Sequence, residues 1–169
     1  GFGIRAMEYR GYLDAPGKPT ETDIKADAIA LVDQALADGL SPRDLVIYGW
    51  SLGSGVAVPT AVARPVRALI LETPFTAAVD VAAWRFPFLP VRRLMKDQWR
   101  SRDVAGQVTT PTLILHGTKD DIIPFSHAPA LLAMINAPKE MKVYPGADHM
   151  NLPSHGAIED MAAFIEAWG

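Results

Sequence analysis

The 169-residue sequence predicts an α/β fold, in which helices cover both faces of a mostly parallel β-sheet. Short apolar runs alternate with longer helical patterns along most of the chain, which is typical of parallel strands joined by helices. The runs at residues 68–71 (ALIL) and 112–115 (TLIL) are apolar almost throughout, as expected for strands buried on both faces. The length suits one domain with a sizeable core.

The first helix is predicted from its two ends. Thr20 can cap it, with Asp23 three residues further on in a capping-box arrangement. Apolar residues then recur at helical spacing until Gly39, where we expect the helix to end. Periodicity and turn residues give the other elements in the same way. They are strands at residues 3–9, 44–49 and 142–144 and helices at residues 52–63, 124–137 and 154–168.

Residues 76–108 break the alternation. This segment is rich in aromatic, proline and arginine residues (WRFPFLPVRRL) and has no strand pattern. We interpret it as a small lid-like insertion above the sheet. The chain is therefore predicted to be a single domain over residues 1–169, with this insertion at about residues 76–108. Because the chain begins with Gly and reads as a strand almost at once, we expect that domain to be partial and its first strands to be missing.

Composition excludes several classes of function. The net charge is −3 and no block of basic residues is present, so a nucleic-acid partner is not expected. The absence of cysteine rules out a disulfide framework, a thiolate metal site and a cysteine nucleophile. No histidine spacing typical of a metal site occurs, and no metal or other cofactor is expected. The expected location is the cytoplasm, with a membrane anchor in a preceding segment as the alternative.

The sequence Gly49-Trp50-Ser51-Leu52-Gly53 matches the nucleophile-elbow pattern G-x-S-x-G. In this pattern a strained turn between a strand and a helix lifts the serine hydroxyl above the sheet, while glycines allow the strand and helix to approach closely. An apolar strand precedes this motif and a helical pattern follows it. Ser51 is therefore the candidate nucleophile, and the Leu52 N–H is a candidate donor to the oxyanion of a tetrahedral intermediate.

A serine nucleophile needs a base, and the base needs an acid that fixes its tautomer. With this elbow the chain order is serine, acid, histidine. His149 follows the strand near residue 143, while Asp120 and Asp121 follow the strand at residues 112–115. Both positions lie at carboxyl ends of strands, where sheets of this type build their sites. Glu72 is an alternative acid, and His116 is expected to order the loop that carries the acid.

Several segments together resemble one family. These are Tyr9-Arg10-Gly11-Tyr12, the elbow, residues 71–75 (LETPF), residues 116–124 (HGTKDDIIP) and residues 146–149 (GADH). In this order they resemble bacterial α/β hydrolases similar to the eukaryotic α/β-hydrolase-domain depalmitoylases and lysophospholipases, a group described as serine aminopeptidase-like. The resemblance implies the α/β-hydrolase fold, with Ser51 as nucleophile, Asp120 as acid and His149 as base.

The resemblance also implies features that precede residue 1. One is a His-Gly segment that supplies a second oxyanion donor. Another is a strand that lies between the Tyr9-Arg10-Gly11-Tyr12 strand and the elbow strand. Without that strand we expect a gap in the middle of the sheet, and self-association of the chain through the open edge.

The activity expected from these residues is hydrolysis of a carboxylic ester or thioester, or of an amide, through an acyl-enzyme. The partner would be a small-molecule acyl substrate, and the candidate pocket residues are the aromatic ones near the elbow and in the lid-like insertion. They are Trp50, Phe75, Trp84, Phe86 and Phe88. Two alternatives are an acyltransferase with the same triad and a non-catalytic remnant or binding module.

Overall fold

The computed structural model describes residues 2–168 and contains a four-stranded parallel sheet. Its strands are β1 (Val46–Trp50), β2 (Ala68–Glu72), β3 (Thr112–Gly117) and β4 (Lys139–Tyr144). They lie side by side in chain order, and each neighbouring pair is parallel. The predicted parallel sheet is confirmed.

Helices cover both faces of this sheet, as the sequence predicted. On one face, α2 (Leu52–Ala63) and α5 (His127–Met134) share a core cluster with β2 and β3, and α1 (Glu21–Ala37) packs against α2. On the other face, α6 (Ala157–Ala167) shares a second cluster with the same two strands. The order of elements therefore produces the three layers of an α/β domain.

Local sequence explains where the elements begin and how deeply they are buried. At the start of α1, the Asp23 N–H donates to the Thr20 hydroxyl at 3.2 Å. Gly39 follows the helix with a positive φ of 95°, a conformation that glycine adopts without strain. Every residue of β2 and β3 is buried. These central strands are the two runs that the sequence identified as apolar almost throughout.

The N-terminal segment does not form the predicted strand. Residues 2–9 have no strand pairing, although Met7 and Tyr9 pack against the cluster that contains Ile24 and Phe75. Alternating apolar residues can satisfy packing, but a strand also needs a neighbouring strand for its backbone hydrogen bonds. The segment is held instead by Arg10, whose guanidinium Nε donates to Asp27 of α1 at 2.7 Å.

The expected gap in the middle of the sheet is also absent. The four strands are contiguous, and β1 is an edge strand within the described part of the chain. The interruption that the sequence implied is therefore an open edge beside β1, because residues 2–9 do not form a strand on its far side. Self-association through this edge stays a prediction.

Residues 76–108 contain α3 (Ala78–Arg85), the one-turn helix α4 (Val91–Leu94) and short 3₁₀ turns at Ser101–Asp103 and Ala105–Gln107. The two ends of the segment are anchored, since Val79, Trp99 and Val108 are buried. The middle is exposed, and Phe88 has 96% of its surface accessible. Across residues 2–168, no helix combines the length and apolar character needed to cross a membrane.

Candidate active site

Ser51 lies at the turn between β1 and α2, above the carboxyl end of the sheet. Its φ of 52° and ψ of −118° are unusual for a residue with a side chain, and strain of this kind is common at functional sites. The Ser51 N–H donates to the Glu72 carbonyl oxygen of β2 at 2.9 Å. The neighbouring strand therefore holds the strained turn in place.

The two glycines of the elbow have different surroundings. A Cβ on Gly49 would lie 2.6 Å from both the Ala57 Cβ and the Gly53 carbonyl oxygen. Gly49 is therefore the residue that allows β1 and α2 to approach closely. A Cβ on Gly53 would meet only the Tyr9 hydroxyl, at 3.7 Å, an ordinary contact. The expectation that both glycines serve the close approach is correct for Gly49 alone.

The three residues implied by the resemblance lie together. His149 Nε2 is 2.9 Å from Ser51 Oγ, and His149 Nδ1 is 2.8 Å from Asp120 Oδ2. An ionised carboxylate can only accept hydrogen bonds, so His149 Nδ1 carries the hydrogen and donates it to Asp120. Nε2 of the neutral imidazole is then the acceptor for the Ser51 hydroxyl. This is the arrangement that a serine nucleophile requires.

Asp120 is buried, and four hydrogen-bond donors surround its carboxylate. Its Oδ1 accepts from the backbone N–H groups of Ile122 and Ile123 at 2.9 and 2.8 Å. Its Oδ2 accepts from His149 and lies 3.2 Å from His116 Nε2. Burial acts to raise the pKa of Asp120, but the hydrogen bonds from His116, His149 and the two backbone N–H groups outweigh it and hold the pKa well below its usual range. The carboxylate is therefore ionised at neutral pH.

His116 orders the loop that carries Asp120, as its position suggested. Its Nε2 lies 3.0 Å from the Ile123 carbonyl oxygen as well as 3.2 Å from Asp120 Oδ2. Both of these atoms are acceptors, so Nε2 carries the hydrogen. His116 is fully buried, its ring meets Phe125 edge to face, and its Nδ1 has no hydrogen-bond partner. His116 therefore positions Asp120 and its loop and makes no hydrogen bond to Ser51.

The loops that carry the acid and the base are joined to each other. The Lys119 N–H donates to the Ala147 carbonyl oxygen at 2.9 Å, and the Gly146 N–H donates to Thr118 Oγ1, also at 2.9 Å. A Cβ on Gly117 would lie 2.3 Å from the same Ala147 oxygen. Backbone contact between the loops thus fixes the distance from Asp120 to His149.

The other acids considered from the sequence lie elsewhere. Asp121 is exposed and its neighbour Asp120 makes the contact with His149. Glu72 is buried at the end of β2, and its Oε2 accepts a hydrogen bond of 2.6 Å from the Tyr48 hydroxyl. Glu72 is thus satisfied by a partner other than the histidine.

A cavity of about 390 Å³ opens beside Ser51. One wall is the face of α3 formed by Ala78, Val81, Ala82 and Arg85, and the loop after Asp120 supplies another wall. The lining is mainly apolar, with Arg85 and Asp121 as its charged members. The remaining lining residues are Ser51, Leu52, Phe75, Phe86, Ile122 and Ile123.

Of the five aromatic residues expected at a pocket, Phe75 and Phe86 line this cavity. Trp50 lies against the base instead, since its ring centroid is 5.9 Å from that of His149. Trp84 and Phe88 are not among the lining residues, and both are exposed. The aromatic cluster of the insertion is therefore divided between the cavity and the outer surface.

Sequence reasoning missed most of the cavity wall. Residues 78, 81, 82 and 85 share one helical face, so their i, i+3, i+4 and i+7 spacing was an available signal. Ile122 and Ile123 could have been inferred from their place directly after Asp120. Gly117 carries no signal of its own, because its role depends on the approach of the loop at Ala147.

The Leu52 N–H is at the first position of α2, directly after Ser51. The first N–H groups of a helix have no partner within the helix, and the helix dipole favours negative charge at this end. The geometry therefore places one donor where an oxyanion could develop next to Ser51. No cluster of three or more potential metal ligands occurs within residues 2–168.

These features define a class of protein: an α/β domain with a serine at a nucleophile elbow, in contact with a histidine that an aspartate orients. Comparison with known proteins gives the family. Residues 13–164 match the family described as an alpha/beta hydrolase domain. The chain belongs to the α/β-hydrolase family, and the resemblance noted from the sequence is confirmed.

Two relatives illustrate the relationship. Human alpha/beta hydrolase domain-containing protein 17B is 33% identical over 164 residues, which are 96% of this chain and 56% of that protein. An uncharacterized protein of Mycobacterium tuberculosis is 38% identical over 150 residues, which are 88% of this chain and 53% of that protein. The chain thus spans about half the length of the curated relatives it matches.

Solved structures give the same fold. An acetyl xylan esterase from Paenibacillus sp. R4 superposes with a TM-score of 0.70 at 23% identity, over 85% of this chain and 52% of that one. A monoacylglycerol lipase from Paleococcus ferrophilus gives a TM-score of 0.63 at 20% identity, over 90% and 77%. At these identities the likeness establishes the fold, and the chemistry must be argued from the site.

Proposed function

We propose that the protein hydrolyses a carboxylic ester or thioester through an acyl-enzyme formed on Ser51. The observation that carries this proposal is the continuous chain of hydrogen bonds from Ser51 through His149 to Asp120. A buried imidazole has no structural need to contact a strained serine at the mouth of an apolar cavity. As a general base beside a nucleophile, it needs this contact.

In the first half of the reaction, the Ser51 hydroxyl attacks the acyl carbonyl carbon. His149 Nε2 takes the hydroxyl proton, and Asp120 stabilises the imidazolium that forms. The bond from the carbonyl carbon to the alcohol or thiol then breaks, and His149 gives its proton to the leaving group. Ser51 retains the acyl group. The low pKa of Asp120 suits this role, because the carboxylate stays ionised while His149 gains and loses its proton.

In the second half, water attacks the acyl-enzyme with His149 again as base, and the acid product leaves as the Ser51 proton is restored. The oxyanion of each tetrahedral intermediate would accept a hydrogen bond from the Leu52 N–H at the start of α2. The preorganised position of this donor favours acyl transfer, because it adds stabilisation where charge develops.

The cavity indicates where the acyl chain would lie. Its apolar members Phe75, Val81 and Ile123 come from three separate segments of the chain and line the space beside Ser51. Burying an apolar chain there is favourable by about 25 cal/mol per Å². Arg85 and Asp121 are the charged residues of the lining. We propose an apolar acyl group as the substrate part that occupies the cavity.

The test compares initial rates of hydrolysis of p-nitrophenyl esters and of a matched acyl thioester. The Ser51→Ala and His149→Ala variants should each lose nearly all activity. Asp120→Asn should lower kcat by about 10²–10⁴, whereas Asp121→Asn should cost less than about tenfold. Near-normal turnover by Ser51→Ala would refute the proposal.

Ser126→Ala is the matched control for Ser51→Ala. Ser126 is exposed at the start of α5 and forms no side-chain cap hydrogen bond. The control should keep the full rate. A larger effect of Asp121→Asn than of Asp120→Asn would show that the acid is Asp121 and not Asp120, although the serine mechanism would stand.

A further inference from the structure

The outer surface of the insertion exposes a group of large apolar side chains, of which only Phe86 also lines the cavity beside Ser51. Five lie within eleven consecutive residues that span the end of α3, the following turn and α4. They are Trp84, Phe86, Phe88, Leu89 and Leu94, each more than half exposed. We call them the apolar patch. Contiguous exposed apolar surface of this kind marks an interaction site more often than chance.

Basic residues surround this patch. Residues 84–96 contain Arg85, Arg92, Arg93 and Lys96 and no acidic residue, although the net charge of the chain is −3. All four basic residues are exposed. Within the described structure, Arg92 is the one among them that forms an ion pair, with Asp80. The other three charges are available to an anionic surface.

The patch is held in a defined shape. Asp80 of α3 pairs with both Arg92 and Arg102, and thereby ties α3 to α4 and to the chain beyond it. The Gln98 side-chain amide donates to the carbonyl oxygens of Arg92 and Met95 at 2.9 and 3.1 Å, which closes the end of α4. These contacts leave the turn with Phe88 as the outermost part of the segment.

The geometry points to the surface of a bilayer that contains anionic lipids as the partner of this patch; we propose that it docks there. Aromatic and aliphatic side chains insert into the interface, while arginine and lysine side chains reach the headgroups. The patch also joins the cavity, because Phe86 belongs to both and the adjacent Arg85 lines the cavity. A docked lipid-borne acyl group would therefore have a short path to Ser51.

A binding experiment tests this proposal independently of catalysis. The Ser51→Ala variant is sedimented with vesicles of phosphatidylcholine alone and of phosphatidylcholine mixed with phosphatidylserine. We expect stronger binding to the mixed vesicles, and weaker binding to them as salt is raised. Failure to bind either vesicle would overturn the proposal and would leave the proposed function of Ser51 untouched.

Variants in the same background locate the surface. Phe88→Ser should weaken binding to both vesicles at least about fivefold. The double variant Arg93→Gln/Lys96→Gln should lose about tenfold or more on the mixed vesicles alone, since each basic residue near an anionic surface contributes roughly fivefold. Ile158→Ser is the matched control, because Ile158 is an exposed apolar residue on α6, outside the insertion.

Two further results would overturn the proposal. One is binding by Phe88→Ser and by the double variant that equals binding by the Ile158→Ser control. The other is a protein that self-associates without vesicles and becomes monomeric on Phe88→Ser, which would assign the patch to contact between copies of this chain. Thermal unfolding of each variant verifies that the fold is retained.

Discussion

Gly117 lies so close to Ala147 that a methyl group on Gly117 would be 2.3 Å from the Ala147 carbonyl oxygen. Gly117 ends β3 and begins the loop with the acid, and Ala147 belongs to the loop with the base. The distance between Asp120 and His149 therefore depends on a backbone contact three residues before Asp120 and two residues before His149. The first prediction follows from this contact.

Gly117→Ala should force the two loops apart. Overpacking of this kind costs about 1–3 kcal/mol of unfolding free energy, and a displacement of about 1 Å at the site lowers kcat roughly 10²-fold. Urea unfolding and ester turnover measure the two effects. Gly106→Ala is the control, since its Cβ would lie 3.6 Å from the nearest atom, the Met134 carbonyl oxygen. Equal behaviour of the two variants would show that the contact relaxes without consequence.

The elbow glycines should respond differently to the same change. Gly49→Ala introduces a Cβ 2.6 Å from Ala57 and Gly53, and we expect a loss of about 1–3 kcal/mol in unfolding free energy. Gly53→Ala places its Cβ within α2 in ordinary contact with the Tyr9 hydroxyl, at 3.7 Å, and should stabilise the helix by roughly 0.5–1 kcal/mol. Thermal or urea unfolding measures the stability of the two variants. A Gly53→Ala protein that is less stable than Gly49→Ala would contradict this prediction.

The ionised state of Asp120 should be visible in the pH dependence of stability. Its pKa is lowered in the folded state, so its stabilising contribution is complete above the unfolded pKa of about 3.9 and is lost as pH falls through the lower, folded value. Asp120→Asn should cost about 1.5–3 kcal/mol at neutral pH, with a smaller difference from the unaltered protein near pH 3. Urea unfolding at several pH values measures this difference.

Asp121→Asn provides the control for that experiment. Asp121 is exposed, so its replacement should change unfolding free energy by no more than about 0.5 kcal/mol at any pH. A constant difference between Asp120→Asn and the unaltered protein from neutral to acid pH would mean that the carboxylate charge contributes nothing to the folded state.

The sequence predicted the four strands of the sheet, the helices outside the insertion and the three residues that meet at the site, because each depends on local patterns. The insertion helices α3 and α4 were not predicted. β2 and β3 are continuous apolar runs, and the elbow and the Asp120 and His149 loops follow strands directly. Residues 3–9 were wrongly predicted as a strand. Their pattern suits one, but pairing needs a neighbour that no local pattern supplies.

Contacts between distant parts of the chain could not be predicted from the sequence either. The aromatic residues of the insertion look equivalent in the sequence, yet Phe86 lines the cavity while Phe88 is at the surface. The direction that each side chain takes depends on how α3 packs, which is decided by tertiary contacts such as that of Val79 with the interior. The contact of Gly117 with Ala147 is of the same kind.

This division among the aromatic residues gives a prediction about substrate preference. Phe86→Ala should lower kcat/KM for p-nitrophenyl octanoate by about tenfold or more while p-nitrophenyl acetate is little affected, because only the longer acyl chain reaches Phe86. Phe88→Ala should change either value by less than about twofold. Assays below the micelle concentration keep surface binding out of the comparison. Equal losses of kcat/KM for both esters in Phe86→Ala would mean that Phe86 has only a structural role.

The most direct test of the central claim is to identify the residue that a fluorophosphonate modifies. We expect one phosphonyl adduct per chain, located by peptide mapping on Ser51, with the reaction slowed strongly by His149→Ala because the imidazole no longer accepts the hydroxyl proton. The Ser126→Ala control should react like the unaltered protein. An adduct on another residue, or an unmodified Ser51 in protein that still turns over esters, would contradict the account.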